Sequence, residues 1–354
     1  MKTNAPLLRR LTTAATLMLA AVTHTSFAQT TAATDPVGFV TISVSGTGGT
    51  VPTKYTFASL GMVKPVAFRS TTTTSVAGTT TLVDTAATWA NNAYNSTTAD
   101  APPTHFVEIL SGTAAGTRYD IVTTDGTAKS LTVSPSLAAG VADGATYAIR
   151  PHWTLASVFG TGNSLALQSG DSGSADQVQL WRGAGFVSYF YNTGRGFGGW
   201  VQNGNAGADA GATVLYPDDG IVIARNQSAG VNVVLSGAVK TGQTSMSVQS
   251  GYTLLGNVYA SGMTLANSNL FTNNPATGVA EGDSSSADQV MFWNGTGFVS
   301  YFYNNGRGFA GWVQNGNAGA DASTTPIPAG TALFIQRHGA PFSWVAPQFP
   351  ASFN

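Results

Sequence analysis

The sequence predicts an all-β protein built of small β-barrel or sandwich modules with two homologous C-terminal repeats, and three observations carry that prediction. The first is a block, Asp171 to Ala210, that returns 112 positions later as Asp283 to Ala322 with 33 of 40 residues identical. An internal repeat of this kind sets the architecture before any local pattern does. The second is a series of short apolar or alternating runs between Gly, Asn, Asp and Thr clusters, with no helical period sustained beyond the first residues. The third is composition. Only 9% of residues are charged and Gly is abundant at 42, yet 43% hydrophobic and 10% aromatic residues suffice for a packed core.

Taken in order, Lys2, Arg9 and Arg10, the apolar run Leu11 to Val22 and then Ser26-Phe27-Ala28 have the layout of a secretory signal peptide, 1–28, cleaved after Ala28. The apolar run is too short to span a bilayer, which needs about 20 residues. A secreted, periplasmic or cell-surface location follows, without stable membrane insertion. Cys is absent, so core burial alone must stabilise the fold in an oxidising compartment. Without the leader, 12 Lys and Arg stand against 16 Asp and Glu, a net charge of −4. A sparse, slightly acidic charge argues against nucleic acid, which selects basic patches.

An N-terminal β-module is expected over 29–150. Val37 to Val44 reads as its first strand, and the Thr, Ser and Ala-rich stretch from Ser70 to Thr98 as a loop or the start of an inserted module. His105 to Leu110, Arg118 to Val122, Ser130 to Val133 and Thr146 to Arg150 read as four further strands. β-repeat 1 is placed at 151–245, β-repeat 2 at 246–345 and a C-terminal tail at 346–354. Trp153-Thr154-Leu155 before the first block is paired with Tyr252-Thr253-Leu254 before the second, and each block is followed by a Pro/Gly turn and a strand ending in Arg, Arg225 or Arg337. Within the block, Gln177 to Trp181 and Phe186 to Tyr191 flank the turn Arg182-Gly183-Ala184-Gly185, a hairpin signal. Period-two alternation puts Phe186, Ser188 and Phe190 on one face and Val187, Tyr189 and Tyr191 on the other.

Asp35-Pro36-Val37-Gly38-Phe39-Val40-Thr41, Trp153-Thr154-Leu155, the strand Ala287-Asp288-Gln289-Val290 to Trp293, and Pro328-Ala329-Gly330 to Arg337 carry a resemblance. In these the chain resembles the paralogous family of uncharacterised secreted proteins of verrucomicrobial bacteria, over most of its length after the leader. The resemblance implies secretion and a β-rich repeat, and supplies no functional residues.

Candidate sites follow from residue type. Gly170-Asp171-Ser172-Gly173-Ser174 looks like the nucleophile motif of chymotrypsin-like proteases, but the second copy reads Gly282-Asp283-Ser284-Ser285-Ser286 and neither His105 nor His152 sits in a partner motif. A turn in which Asp and Ser bond their own backbone accounts for it. Asp171, Asp176 and Asp209 recur as Asp283, Asp288 and Asp321, which makes calcium a candidate cofactor, though the spacing matches no EF-hand. Trp181, Tyr189, Tyr191 and Trp200, repeated as Trp293, Tyr301, Tyr303 and Trp312, are candidate ligand-binding residues that could form an aromatic platform for sugars, with Gln202, Asn203 and Asn205 beside them. Aromatics at strand spacing also serve as core, because each buries a large area. Arg195 and Arg307 join the set as cations among rings. No catalytic residue is identified, and the two Glu residues, Glu108 and Glu281, lie in different segments, unlike the paired carboxylates of a glycosidase.

The expected function is thus a non-catalytic secreted or cell-surface β-protein with a structural or adhesive role in envelope or matrix. The alternatives are a carbohydrate-binding protein that uses the repeated aromatics, and a secreted hydrolase with an unrecognised site. The expected partners are a polysaccharide or envelope component, or a second copy of the chain.

Overall fold

The alternating runs become strands in the computed structural model, which describes residues 35–49, 53–306 and 308–347. The expected signal peptide and nearly all of the expected tail lie outside the described residues. β1 (Val37–Val44) and β2 (Lys54–Ala58) come first. They are followed by β3 (Phe68–Thr71), β4 (Thr74–Ser75), β5 (Thr81–Val83), β6 (His105–Ile109), β7 (Arg118–Asp125), β8 (Ser130–Ser134) and β9 (Thr146–Pro151). Next are β10 (Trp153–Thr154), the short helix α1 (Leu155–Phe159), β11 (Gln177–Trp181), β12 (Phe186–Asn192), β13 (Gly199–Gln202), β14 (Val214–Leu215), β15 (Ile221–Arg225) and β16 (Val231–Ala238). The chain continues through β17 (Thr244–Val248), β18 (Gly251–Gly256), β19 (Met263–Thr264), β20 (Gln289–Trp293), β21 (Phe298–Asn304), β22 (Gly311–Gln314), β23 (Pro326–Ile327), β24 (Ala332–Arg337) and β25 (Phe342–Ala346). The protein is all-β, and the hairpin β11–β12 and its counterpart β20–β21 fall where alternation and turn residues predict.

Pairing reveals an organisation that local pattern does not. The first repeat forms a five-stranded sheet in the order β13-β12-β11-β15-β2, and the second forms β22-β21-β20-β24-β18. Each repeat adds a ribbon, β1-β16 in one and β17-β25 in the other, and a short pair, β10-β14 or β19-β23. Strand for strand the two units correspond, with β2 in the place of β18.

The expected boundaries are corrected accordingly. Residues 37–63 do not belong with an N-terminal module: β1 and β2 complete the first repeat, and Ile42, Val44, Ala58, Leu60 and Met62 share its core with Trp153, Leu155, Val178, Trp200 and Ile223. The module expected at 29–150 is instead an insertion, β3 to β9, forming a separate sheet in the order β3-β9-β6-β7-β8-β5-β4. Its own core includes Leu82, Trp89, Ile109, Ile121, Leu131 and Tyr147. The ends of the insertion meet, since Trp153 Nε1 donates to the Met62 carbonyl at 3.1 Å. Closely spaced ends are what lets one domain interrupt another without disturbing it. Tyr252-Thr253-Leu254 therefore corresponds to Tyr55-Thr56-Phe57 of β2, whereas Trp153-Thr154 corresponds to Met263-Thr264. The boundary expected between 245 and 246 cuts β17, which starts at Thr244.

The repeats contact each other reciprocally, as an isologous contact requires. Ser59 N–H, after β2, donates to Gly330 at 2.9 Å, and Gly256 N–H, at the end of β18, donates to Asp218 at 2.9 Å. Gly256 is required there, because a Cβ would stand 2.4 Å from the Ser59 side chain.

A buried charge network ties the insertion to the repeats. Glu108 of β6 accepts from Lys240, and from Arg150 Nε at 3.0 Å, while Arg150 reaches Asp35 at 2.7 Å. Burial alone lifts a carboxyl pKa, but the Lys240 and Arg150 charges outweigh it and hold Glu108 below the ordinary carboxylate range. A depressed folded-state pKa means that its contribution is complete above the unfolded carboxyl pKa of about 4.3 and is lost as pH falls through the lower folded value. Urea unfolding at a series of pH values should show wild type more stable than Glu108→Gln near neutrality, with the gap closing below about pH 4.

Candidate functional site

Of the two readings of the repeated aromatic residues, core and sugar platform, the structure gives core to most of them. Trp200 and Trp312, at the same position in each copy, are 1% and 4% exposed. Trp200 Nε1 donates to the Gly160 carbonyl at 2.9 Å and its ring packs against Phe159 and Tyr191. Tyr189 is buried in the same core, and Tyr301 and Tyr303 pack against the core of the second repeat. Trp181 and Trp293 lie at the seam between repeats, where Trp181 and Phe186 meet Phe334, while Trp293 and Phe298 meet Phe57. Arg195 is exposed, and Arg307 lies outside the described residues. The physical reason is area: each small sheet needs large apolar side chains on the face that meets its ribbon, and these rings supply them.

The other sheet face is covered as well. Phe190 packs with Ala175, Val201 and Ala206, and Phe302 packs with Ala287, Val313 and Ala318. The cover is the loop that follows β12, or β21, folding back together with the loop after β13 or β22. Asn192, buried at the end of β12, organises it: its Nδ2 donates to the Arg195 and Phe197 carbonyls at 2.9 and 2.8 Å, and its Oδ1 accepts from Gly194 N–H at 3.0 Å. Asn304 bonds the Phe309 carbonyl and Gly306 N–H in the same way at 2.8 and 3.1 Å. Phe197 N–H donates to Ala206 at 2.9 Å, and Phe309 N–H donates to Ala318 at 2.9 Å. Gly196 and Gly308 have φ of +100° and +99°, and a Cβ on either would lie 2.5 Å from that alanine carbonyl.

The repeated carboxylates are each spent separately rather than brought together. Asp176 and Asp288 are fully buried and paired with Arg225 and Arg337, which explains both the recurring Asp and the strand-ending Arg. Asp171 and Asp283 bond the hydroxyls and N–H groups of their own turns, as the turn reading of the protease-like motif requires. Those bonds, the Ser285 hydroxyl first, bring the Asp283 carboxyl down to about 2, and the Ser174 hydroxyl with the Gly173 and Ser174 N–H groups lowers Asp171. Asp209 and Asp321 cap the N–H groups of Gly211 and Ser323 at 2.8 Å. Among the described residues no group of three or more His, Asp or Glu is placed to hold a metal ion.

What remains is an exposed polar face on each repeat. In the second repeat it surrounds a cavity of about 640 Å³ lined by Asp283, Ser284, Phe302, Asn304, Gly306, Asn315, Gly316 and Ala318. The corresponding eight residues of the first repeat are identical in type. Gln202, Asn203 and Asn205, with Gln314, Asn315 and Asn317, are exposed and their side-chain amides bond nothing within the chain among the described residues. In the segment from Gly194 to Ala210, 12 of 17 residues are exposed. The same segment differs from its copy only at Gly198/Ala310, whereas the other six differences lie between Asp171 and Thr193. β12 and β21, which lead to it, are identical as well, FVSYFYN in both, so the differences gather in β11 and in the turns. Sequence reasoning named these amides only as neighbours of the aromatics, because exposure cannot be read from a Gly-rich segment.

A second cavity, of about 420 Å³, opens where the insertion meets both repeats, its lining including Arg118, Asp120 and Pro135 of the insertion, Tyr216 and Asp218 of the first repeat, and Ser245, Ser247 and Ser343 of the second. Tyr216 donates to Asp120 Oδ2 at 2.7 Å, and burial followed by that bond raises the tyrosine pKa. Buried His152 places Nε2 3.0 Å from Asp120 Oδ1, but too far off axis for a hydrogen bond. No local motif announces this group, since its members come from segments a hundred residues apart.

No family model matches the chain, and no curated protein matches it either. No helix of the described residues is long and apolar enough to cross a membrane.

Proposed function

We propose that this is a non-catalytic secreted or cell-surface protein with a structural or adhesive role in envelope or matrix, which grips its partner through two copies of one exposed face. The resemblance to secreted verrucomicrobial proteins agrees with that location. The observation that carries the reading is the near-identity of Gly194–Ala210 and Gly306–Ala322 at exposed positions. Packing explains Gly196, Asn192 and Trp200. It does not explain Gln202, Asn203 or Asn205, whose side-chain amides are exposed and bond nothing among the described residues. Two like faces on one chain raise avidity for a repetitive partner by roughly 10²–10⁴ when the spacing fits. The catalytic alternative has no observation in its favour.

The test is co-sedimentation of residues 29–354 with isolated cell envelopes and matrix material. A variant carrying Gln202→Ala, Asn205→Ala, Gln314→Ala and Asn317→Ala should keep wild-type stability to within about 0.5 kcal/mol per site, as surface changes do, and should lose binding. Binding that survives in this folded variant would overturn the proposal.

A further inference from the structure

We infer that the partner held by each face is an uncharged polysaccharide chain, an inference that rests on the adhesive reading above. The chemistry of the face selects the class. Its free groups are the amides of Gln202, Asn203 and Asn205 and their copies Gln314, Asn315 and Asn317. A side-chain amide presents donors and an acceptor side by side, which matches a sugar hydroxyl, itself both donor and acceptor. Phe197 and Phe309, whose N–H groups bond the carbonyls of Ala206 and Ala318 next to Asn205 and Asn317, have rings 38% and 39% exposed, each laid against a glycine, Gly199 or Gly311. They offer an apolar surface for the C–H face of a sugar ring, unlike the buried Trp200 and Trp312, while Phe186 and Phe298, 41% and 43% exposed, stand at the seam between repeats.

Charge argues against the anionic alternatives. In the first copy Arg195 is the one Lys or Arg of Gly194–Ala210, which also carries Asp209, and Asp171 stands against Gly194. Asp171 and Asp283 are held ionised by their own turns, so the cavity of the second repeat has a carboxylate at its rim rather than an anion hole. A polyanion would meet repulsion there; a neutral polyol meets hydrogen-bonding groups. The glycines keep the shelf low, since Gly194, Gly204 and Gly207 carry no side chain to obstruct a linear polymer.

The probes are amylose, mixed-linkage β-glucan and galactomannan as neutral polymers, with polygalacturonate and heparin as anionic ones. The full chain after the leader should bind at least one neutral polymer, with affinity unchanged when salt is raised about tenfold, because no ionic contact is screened. Phe197→Ala with Phe309→Ala, and separately the four amide changes, should each weaken that binding at least tenfold with unchanged thermal melting. Changing one copy alone should cost less for short oligosaccharides than for the polymer, as loss of bivalence requires. Binding confined to the anionic polymers and abolished by salt would overturn the inference. So would an absence of neutral-polymer binding in a protein whose binding to envelopes still depends on the four amides, and that result would leave the adhesive reading standing. Envelope binding indifferent to the amides would instead remove the reading on which the inference rests.

Discussion

Trp312→Ala is expected to destabilise the protein by about 3–5 kcal/mol, the usual cost of deleting a buried tryptophan and leaving its cavity. The indole is 4% exposed, packs edge-on against Tyr303 and lies in one core with Leu265, Val290, Ile335 and Trp344. Trp200→Ala should cost a similar amount in the first repeat, with the added loss of the bond to Gly160. Urea unfolding followed by circular dichroism measures both. A change below about 1 kcal/mol would mean that the ring is not core. The contrast with Phe197→Ala, an exposed ring expected to leave stability nearly unchanged, separates the two classes of aromatic residue within one block.

Arg337→Met should be of comparable severity, about 3–5 kcal/mol, because it leaves the fully buried Asp288 carboxylate without its cation. Arg337 also donates to the carbonyls of Ala340 and Pro275, at 2.8 and 2.6 Å, and lies over the Phe342 ring, so that its loss loosens the loop before β20 as well as the turn after β24. The companion variant Asp288→Leu with Arg337→Met removes both charges. It should recover part of the loss, since replacing a whole buried pair by apolar groups is far milder than orphaning one member. Equal stability of the single and double variants would show that the cost comes from packing and from the two carbonyl bonds instead. Arg225 and Asp176 offer the same experiment in the first repeat.

The fold class and the hairpins were legible because they are local. Gln177–Trp181 and Phe186–Asn192 alternate, a Gly-rich turn joins them, and the second copy varies mainly in that turn and in one strand. The strand ends at Arg225 and Arg337 were legible too, but their purpose was not, because Asp176 and Asp288 lie 49 residues away in each case. The candidate site was legible in part. Arg195 was named among the repeated rings and Gln202, Asn203 and Asn205 only as their neighbours, while the rings were read both as core and as a sugar platform, and Trp200, Trp312 and Tyr189 are core. Alternation says that Tyr189 and Phe190 point to opposite faces; it does not say that a loop organised by Asn192 covers the second of them.

By itself the sequence determined that this is a β-protein, that a forty-residue unit occurs twice, and that its turns and strand ends lie where period-two patterning and glycine put them. Only the tertiary structure decided that β1 and β2 belong to the first repeat and that β3 to β9 are inserted between them and the rest of it. The physical reason is that antiparallel pairing depends on backbone groups every strand carries. Which strand takes the open edge of β15 is settled by the fit of whole apolar faces: Tyr55-Thr56-Phe57 brings a ring that the seam with the second repeat can bury. Segments far apart in the chain meet there, and the same folding that hid Trp200 and Trp312 left the side-chain amides of Gln202, Asn203 and Asn205 exposed to solvent.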